Sequence, residues 1–177
     1  FPFFANTFLD EEAGVLGAYD STITGNYYPH LNYFATPSAI FAQDPSVSEI
    51  QGIFSAGFNA YLQQEVGLLA KTAYRDVNIT VNENWDYSKF IAKSYSLLDG
   101  LETALSINPF MQVFAASGYY DLVTPFSAAE YTLSRMDPRF QKNVTIRNYE
   151  SGHMIYLKRN AHKELITHLK DFYQQSL

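Results

Sequence analysis

Val113-Phe114-Ala115-Ala116-Ser117-Gly118-Tyr119-Tyr120-Asp121 is the first half of the stretch on which the fold turns, and Val144-Thr145-Ile146-Arg147-Asn148-Tyr149-Glu150-Ser151-Gly152-His153 is the second. From Met111 to Ala116 the residues are mostly apolar, and Gly118 bounds the run, the pattern of a buried parallel strand. Val144 to Tyr149 opens on the β-branched residues Val144, Thr145 and Ile146, which favours a second strand. Between them, Thr124-Pro125 predicts a helix start, with Thr124 as N-cap and Pro125 at the first helical position. Phe126, Ala129, Leu133 and Met136 then recur at helical spacing. Strand, helix and strand in this order predict two parallel strands joined by a crossover helix. In open α/β sheets, ligands meet the loops at the carboxyl ends of the strands. Asp121 and His153 both fall at such ends.

An Asp and a His on neighbouring strand ends are two thirds of a nucleophilic triad. The carboxylate accepts a hydrogen bond from one ring nitrogen, fixes the tautomer and stabilises the imidazolium once the ring has taken a proton. The order Asp then His, both late in the chain, suits the α/β-hydrolase arrangement, in which the serine comes earlier. The plainer reading stays open beside it: an Asp after a strand is also a turn former or helix cap, and a Gly-His pair is also an ordinary loop.

Beyond spacing, the wording of these segments carries a resemblance. Ala116-Ser117-Gly118-Tyr119-Tyr120-Asp121-Leu122-Val123-Thr124-Pro125 and Glu150-Ser151-Gly152-His153-Met154 resemble the serine carboxypeptidase family, above all its bacterial, disulfide-free branch. Gly17-Ala18-Tyr19-Asp20-Ser21-Thr22-Ile23-Thr24-Gly25 and Asn82-Glu83-Asn84-Trp85-Asp86-Tyr87 are similar to further segments of that branch. The likeness extends from about residue 14 onward, and its most specific parts are the Asp121 and His153 motifs. It implies Asp121 as the triad acid and His153 as the general base. It places Met154 close to the pocket for the leaving amino acid, with Tyr120 as a second substrate-binding residue, and it calls for no cofactor and no metal. Tyr156 departs from the Pro that many eukaryotic members carry at this point, which bears on pocket shape.

The family's nucleophile sits in Gly-x-Ser-x-Gly on a sharp strand-to-helix turn, and no such motif occurs here. Gly52-Ile53-Phe54-Ser55-Ala56-Gly57 has one residue too many before the serine and lies in a helical pattern, so Ser55 reads as a small residue on a packed helix. The chain therefore resembles the C-terminal half of such an enzyme: a mainly helical cap region over residues 1–108, then two parallel strands with flanking helices over 109–177, the C-terminal part of an α/β-hydrolase fold. Alone, it is expected to be inactive.

The 177 residues are 47% hydrophobic and 17% charged, which predicts a globular chain rather than a disordered one. A net charge of −6 gives no basic face for nucleic acid or an anionic membrane, and no apolar run approaches the roughly 20 residues of a membrane span. Absence of Cys excludes disulfides, thiolate catalysis and Cys-based zinc sites. Phe1-Pro2-Phe3-Phe4 is not an intact signal peptide, and bacterial cytoplasm and secretion stay equally open.

Taken in order, Phe3, Phe4 and Phe8 predict a segment docked onto something. Residues 17–45 read as irregular, with Tyr27, Tyr28, Tyr33 and Phe34 around Pro29 and His30, either an aromatic lid or a loop fastened by its rings. A helix is predicted from Pro45 to Val66, with Ile50, Phe54, Phe58, Tyr61, Leu62 and Val66 as its packing stripe and Gly67 as its stop. Tyr74–Val81 reads as extended, Tyr87–Ile107 as helical with a break at Gly100, and Asn160–Gln174 as a last helix facing the sheet through Ala161, Leu165, Leu169, Phe172 and Tyr173. His162 and His168 do not share a face and read as exposed, not as a metal pair.

Two strands cannot cover both faces of a hydrolase sheet, and the open edge of the first invites another chain. The partners expected are a peptide substrate and either the missing N-terminal half of the enzyme or a second copy, as a homodimer through that edge. Release of C-terminal amino acids from peptides is the first functional reading. The others are a non-catalytic interaction domain, a homologue without its nucleophile, and an esterase or acyltransferase of the same fold.

Overall fold

The computed structural model describes residues 14–26, 44–68, 74–75, 78, 80–81, 84–86, 88 and 97–176. The chain divides into two compact units, Phe1–Trp85 and Asp86–Leu177. The predicted aromatic lid and the Phe3, Phe4 and Phe8 segment lie outside the described residues.

In the first unit, β1 (Val15–Leu16) pairs antiparallel with β2 (Thr24–Gly25). Residues 17–23 are irregular, as expected, and the expectation is corrected only at Thr24–Gly25, which form a strand. Asp20 builds the connecting turn: its carboxylate accepts from the Thr22 N–H at 3.0 Å and its carbonyl from the Ile23 N–H at 3.0 Å. Strands of two residues are too short to show an alternating pattern, so the sequence carried no strand signal. Asp44 then ties this hairpin to α1 (Pro45–Gln64). One of its oxygens caps the helix, accepting from Ser46 N–H at 2.8 Å and from the Ser46 hydroxyl, while the other accepts from the Ala18 N–H at 2.7 Å. At the far end Gly67 adopts φ +73°, a conformation glycine takes without strain, and Leu68 N–H reaches the Leu62 carbonyl at 2.8 Å.

The predicted packing stripe of α1 is not buried among the described residues: Phe54, Phe58, Tyr61 and Val66 are all exposed. Helical periodicity records which residues share a face, and what covers the face is a tertiary matter. Ser55 lies inside α1, not on an elbow. Thr80 and Val81 are helical, which corrects the extended reading at the end of their segment.

In the second unit, β3 (Val113–Gly118) and β4 (Val144–Tyr149) pair in parallel, in register from Val113 opposite Val144 to Gly118 opposite Tyr149. The first strand is displaced toward the glycine relative to the predicted Met111–Ala116. Asn143, itself buried, fixes the start of the pair by donating from its side chain to the carbonyls of Pro109 at 3.2 Å and Met111 at 2.8 Å. The crossover consists of α3 (Phe126–Ser134) and the single turn α4 (Pro138–Gln141). Upstream, α2 (Leu97–Ile107) runs through Gly100 without the predicted break, and its Glu102 carboxylate accepts from the Asp137 N–H at 2.7 Å.

The last helix, α5 (Arg159–Ser176), packs Ala161 and Leu165 against Tyr149 and Ile155, the latter in a short 3-10 turn (Ile155–Leu157). Phe172 meets Phe114 of β3 with ring centroids 5.3 Å apart. Tyr173, predicted to face the sheet, is 65% exposed. Another correction concerns His168: it is half-buried, and its Nδ1 lies 3.0 Å from the hydroxyl of Tyr149, so it joins α5 to β4. What is established is a mixed helix-and-strand unit around a small parallel two-stranded sheet.

Candidate functional site

Parallel pairing in register sends the chain out of β3 and β4 at the same end. Two backbone hydrogen bonds bind the two exits, Tyr119 N–H to the Tyr149 carbonyl at 3.0 Å and Tyr120 N–H to the Ser151 carbonyl at 3.0 Å, and a third, Ser151 N–H to the Tyr149 carbonyl at 2.8 Å, turns the chain as it leaves β4. The approach is so close at Gly118 that a Cβ there would lie 2.2 Å from the Gly152 carbonyl oxygen and 2.4 Å from that of Ser151.

Asp121 and His153, 32 positions apart, meet across this junction, with Asp121 Oδ2 2.7 Å from His153 Nδ1. The Asp121 side chain is 4% exposed and that of His153 42%. A carboxylate can only accept, so Nδ1 carries the shared hydrogen. The other carboxylate oxygen makes the turn. Oδ1 accepts from the Val123 N–H at 2.8 Å and from the Thr124 N–H at 2.9 Å. Both sequence readings of Asp121, turn former and histidine partner, are therefore realised, one on each oxygen.

Thr124 is not the predicted N-cap of α3. Pro125 stands at that position with no side-chain cap, and the Thr124 hydroxyl instead donates to Asp121 Oδ2. A carboxylate is the stronger acceptor and lies three residues back, within reach of the turn. The same hydroxyl oxygen is 3.2 Å from His153 Nδ1. Burial pushes the Asp121 carboxyl upward. The bonds from the Thr124 hydroxyl and N–H, from His153 and from the Val123 N–H together outweigh it and hold the carboxyl below its ordinary range.

Tyr120 and Met154 flank the pair in sequence, and both are half-buried. Ser151 is completely buried, and its hydroxyl has no hydrogen-bond partner among the described residues. The sequence assigns Thr124 only a helix-capping role and Ser151 none. The Asp-x-x-Thr spacing is the available signal for the first; nothing local marks the second. A separate cleft of about 460 Å³ lies along β4 between Glu130, Leu133, Gln141, Val144, Ile146 and Asn148, and neither Asp121 nor His153 lines it.

Among the described residues no group of three or more His, Cys, Asp or Glu side chains is placed to hold a metal ion, and no helix is long and apolar enough to cross a membrane. Comparison with known proteins finds no matching family model, no similar curated protein and no similar solved structure.

Proposed function

We propose that this chain supplies the acid and base residues of a serine carboxypeptidase-like hydrolase, within the C-terminal part of an α/β-hydrolase fold. The observation that carries the reading is the 2.7 Å contact of Asp121 Oδ2 with His153 Nδ1, formed where two adjacent parallel strands end. Asp121 is buried and engaged on both oxygens, as an orienting carboxylate must be, whereas the imidazole side chain is open to solvent.

In this mechanism a serine hydroxyl gives its proton to His153 Nε2 as its oxygen attacks the carbonyl of a peptide's last bond. Asp121 stabilises the resulting imidazolium. The departing amino acid leaves with that proton, and water repeats the cycle to free the serine. In this reading Met154 and Tyr120, each next to one member of the pair in sequence, bind the substrate. No cofactor takes part.

The 177 residues hold no Gly-x-Ser-x-Gly, so the nucleophile comes from outside them, from a longer form of the polypeptide or from a second chain. The strands that accompany it pair with the remaining edge of β3. Among the described residues β3 pairs with β4 alone.

Fluorophosphonate labelling of the full gene product, read by mass spectrometry, tests this. A serine in a strand-to-helix turn should be labelled, and His153→Ala should abolish the label. The 177-residue chain alone should take no label and release no amino acid. Peptidase activity from the isolated chain would put the nucleophile inside it. The alternative, a homologue kept for interaction after losing its nucleophile, requires that no form of the protein be labelled.

A further inference from the structure

The geometry points to Thr124 as a positioning residue for His153, acting through Asp121. This inference rests on the reading of Asp121 and His153 as an acid–base pair.

Three groups meet in a triangle: the Thr124 hydroxyl, Asp121 Oδ2 and His153 Nδ1. The Thr124 hydroxyl bonds to Oδ2, Nδ1 lies 2.7 Å from Oδ2, and Nδ1 lies 3.2 Å from the hydroxyl oxygen. Only two hydrogens are available for three edges. The carboxylate has none, the hydroxyl has one and Nδ1 has one. The hydroxyl hydrogen points at the carboxylate, which is the stronger acceptor. The hydroxyl oxygen then has only lone pairs to offer the ring. Nδ1–H is thus held between two acceptors, Oδ2 at the shorter distance and the Thr124 oxygen at the longer.

This arrangement does two things that Asp121 alone does not. It closes one side of the Nδ1–H bond with a neutral oxygen, where an exposed imidazole would otherwise exchange that hydrogen with water. It also fixes Oδ2 by a second bond, while the Thr124 and Val123 N–H groups hold Oδ1, so the carboxylate cannot rotate away from the ring. One residue, Thr124, therefore contributes its N–H to one oxygen and its hydroxyl to the other. Both effects keep the proton on Nδ1 and leave Nε2 as the basic nitrogen.

Proton NMR of the 177-residue chain tests the idea without any need for activity. A downfield Nδ1–H resonance of His153 is expected in the unaltered chain and in Thr124→Ser. Thr124→Val keeps the side chain's shape but removes the hydroxyl, and Nδ1–H exchange with water should be about tenfold faster, the equivalent of one charge-assisted hydrogen bond. Should Val disturb the amide spectrum, Thr124→Ala removes the hydroxyl without adding a carbon and should show the same acceleration. A resonance unchanged in exchange rate and shift in both hydroxyl-free variants overturns the role of Thr124. Asp121→Asn separates the two levels of the argument. Loss of the resonance there upholds the acid–base pair whatever Thr124 does, and its survival overturns the pair itself.

Discussion

Gly118 and Gly152 touch so closely that no side chain fits between them: a Cβ on Gly118 would sit 2.2 Å from the Gly152 carbonyl oxygen. This contact brings the exits of β3 and β4 together and sets the distance between Asp121, three residues after Gly118, and His153, one residue after Gly152. The requirement for glycine at position 118 is therefore steric, not conformational.

Gly118→Ala must push two backbone carbonyls aside. A loss of about 2–3 kcal/mol in urea unfolding is expected, together with loss of the downfield His153 signal under native conditions. A variant of unchanged stability that keeps the signal would show that the two loops can separate without cost.

The Asp121 carboxyl titrates below its ordinary value of 3.8 in the folded chain. As pH falls, the unfolded chain binds the proton first. The stability this group contributes is complete above its unfolded value and drains away as pH drops through the folded one. Chemical unfolding of the unaltered chain and of Asp121→Asn at about pH 6 and about pH 2 should show the gap between them closing toward the acid end. A gap that stays constant would mean that Asp121 does not titrate differently on folding.

Ser151 buries a hydroxyl that finds no partner among the described residues. Its carbonyl, not its side chain, makes the contact with Tyr120. Ser151→Ala removes an unsatisfied polar group at almost constant volume, so stability should be unchanged or rise by up to about 1 kcal/mol. A clear loss would reveal a partner for the hydroxyl in the active assembly.

Tyr149 is buried to 1% exposure and bonded to His168. Burial, with the nearby Glu164 adding to it and Arg147 opposing, pushes its phenol above the ordinary value of 10.0. At high pH the unfolded chain loses this proton first. The stabilising difference is fully present below that value and is lost as pH rises through the folded one. Tyr149→Phe should flatten the alkaline fall in stability while costing about 1 kcal/mol at neutral pH for the bond to His168. Alkaline denaturation followed by circular dichroism checks both.

Local rules wrote the elements of this protein into its sequence. The β-branched run at Val144, the Asp44-Pro45 start and the Gly67 stop of α1, and the apolar period of Phe126 to Leu133 each act through neighbours a few residues away, and each was legible. Legible too was the meeting of Asp121 and His153, because parallel strands joined by a crossover helix bring their carboxyl ends to one side. Competition among distant partners was not legible. Thr124 turned from capping a helix to bonding Asp121, His168 found Tyr149, and Phe54, Phe58 and Tyr61 of α1 stayed exposed. Those outcomes depend on which acceptor or surface the fold brings within a few ångströms, and a hydrogen bond or an apolar contact has no reach beyond that distance.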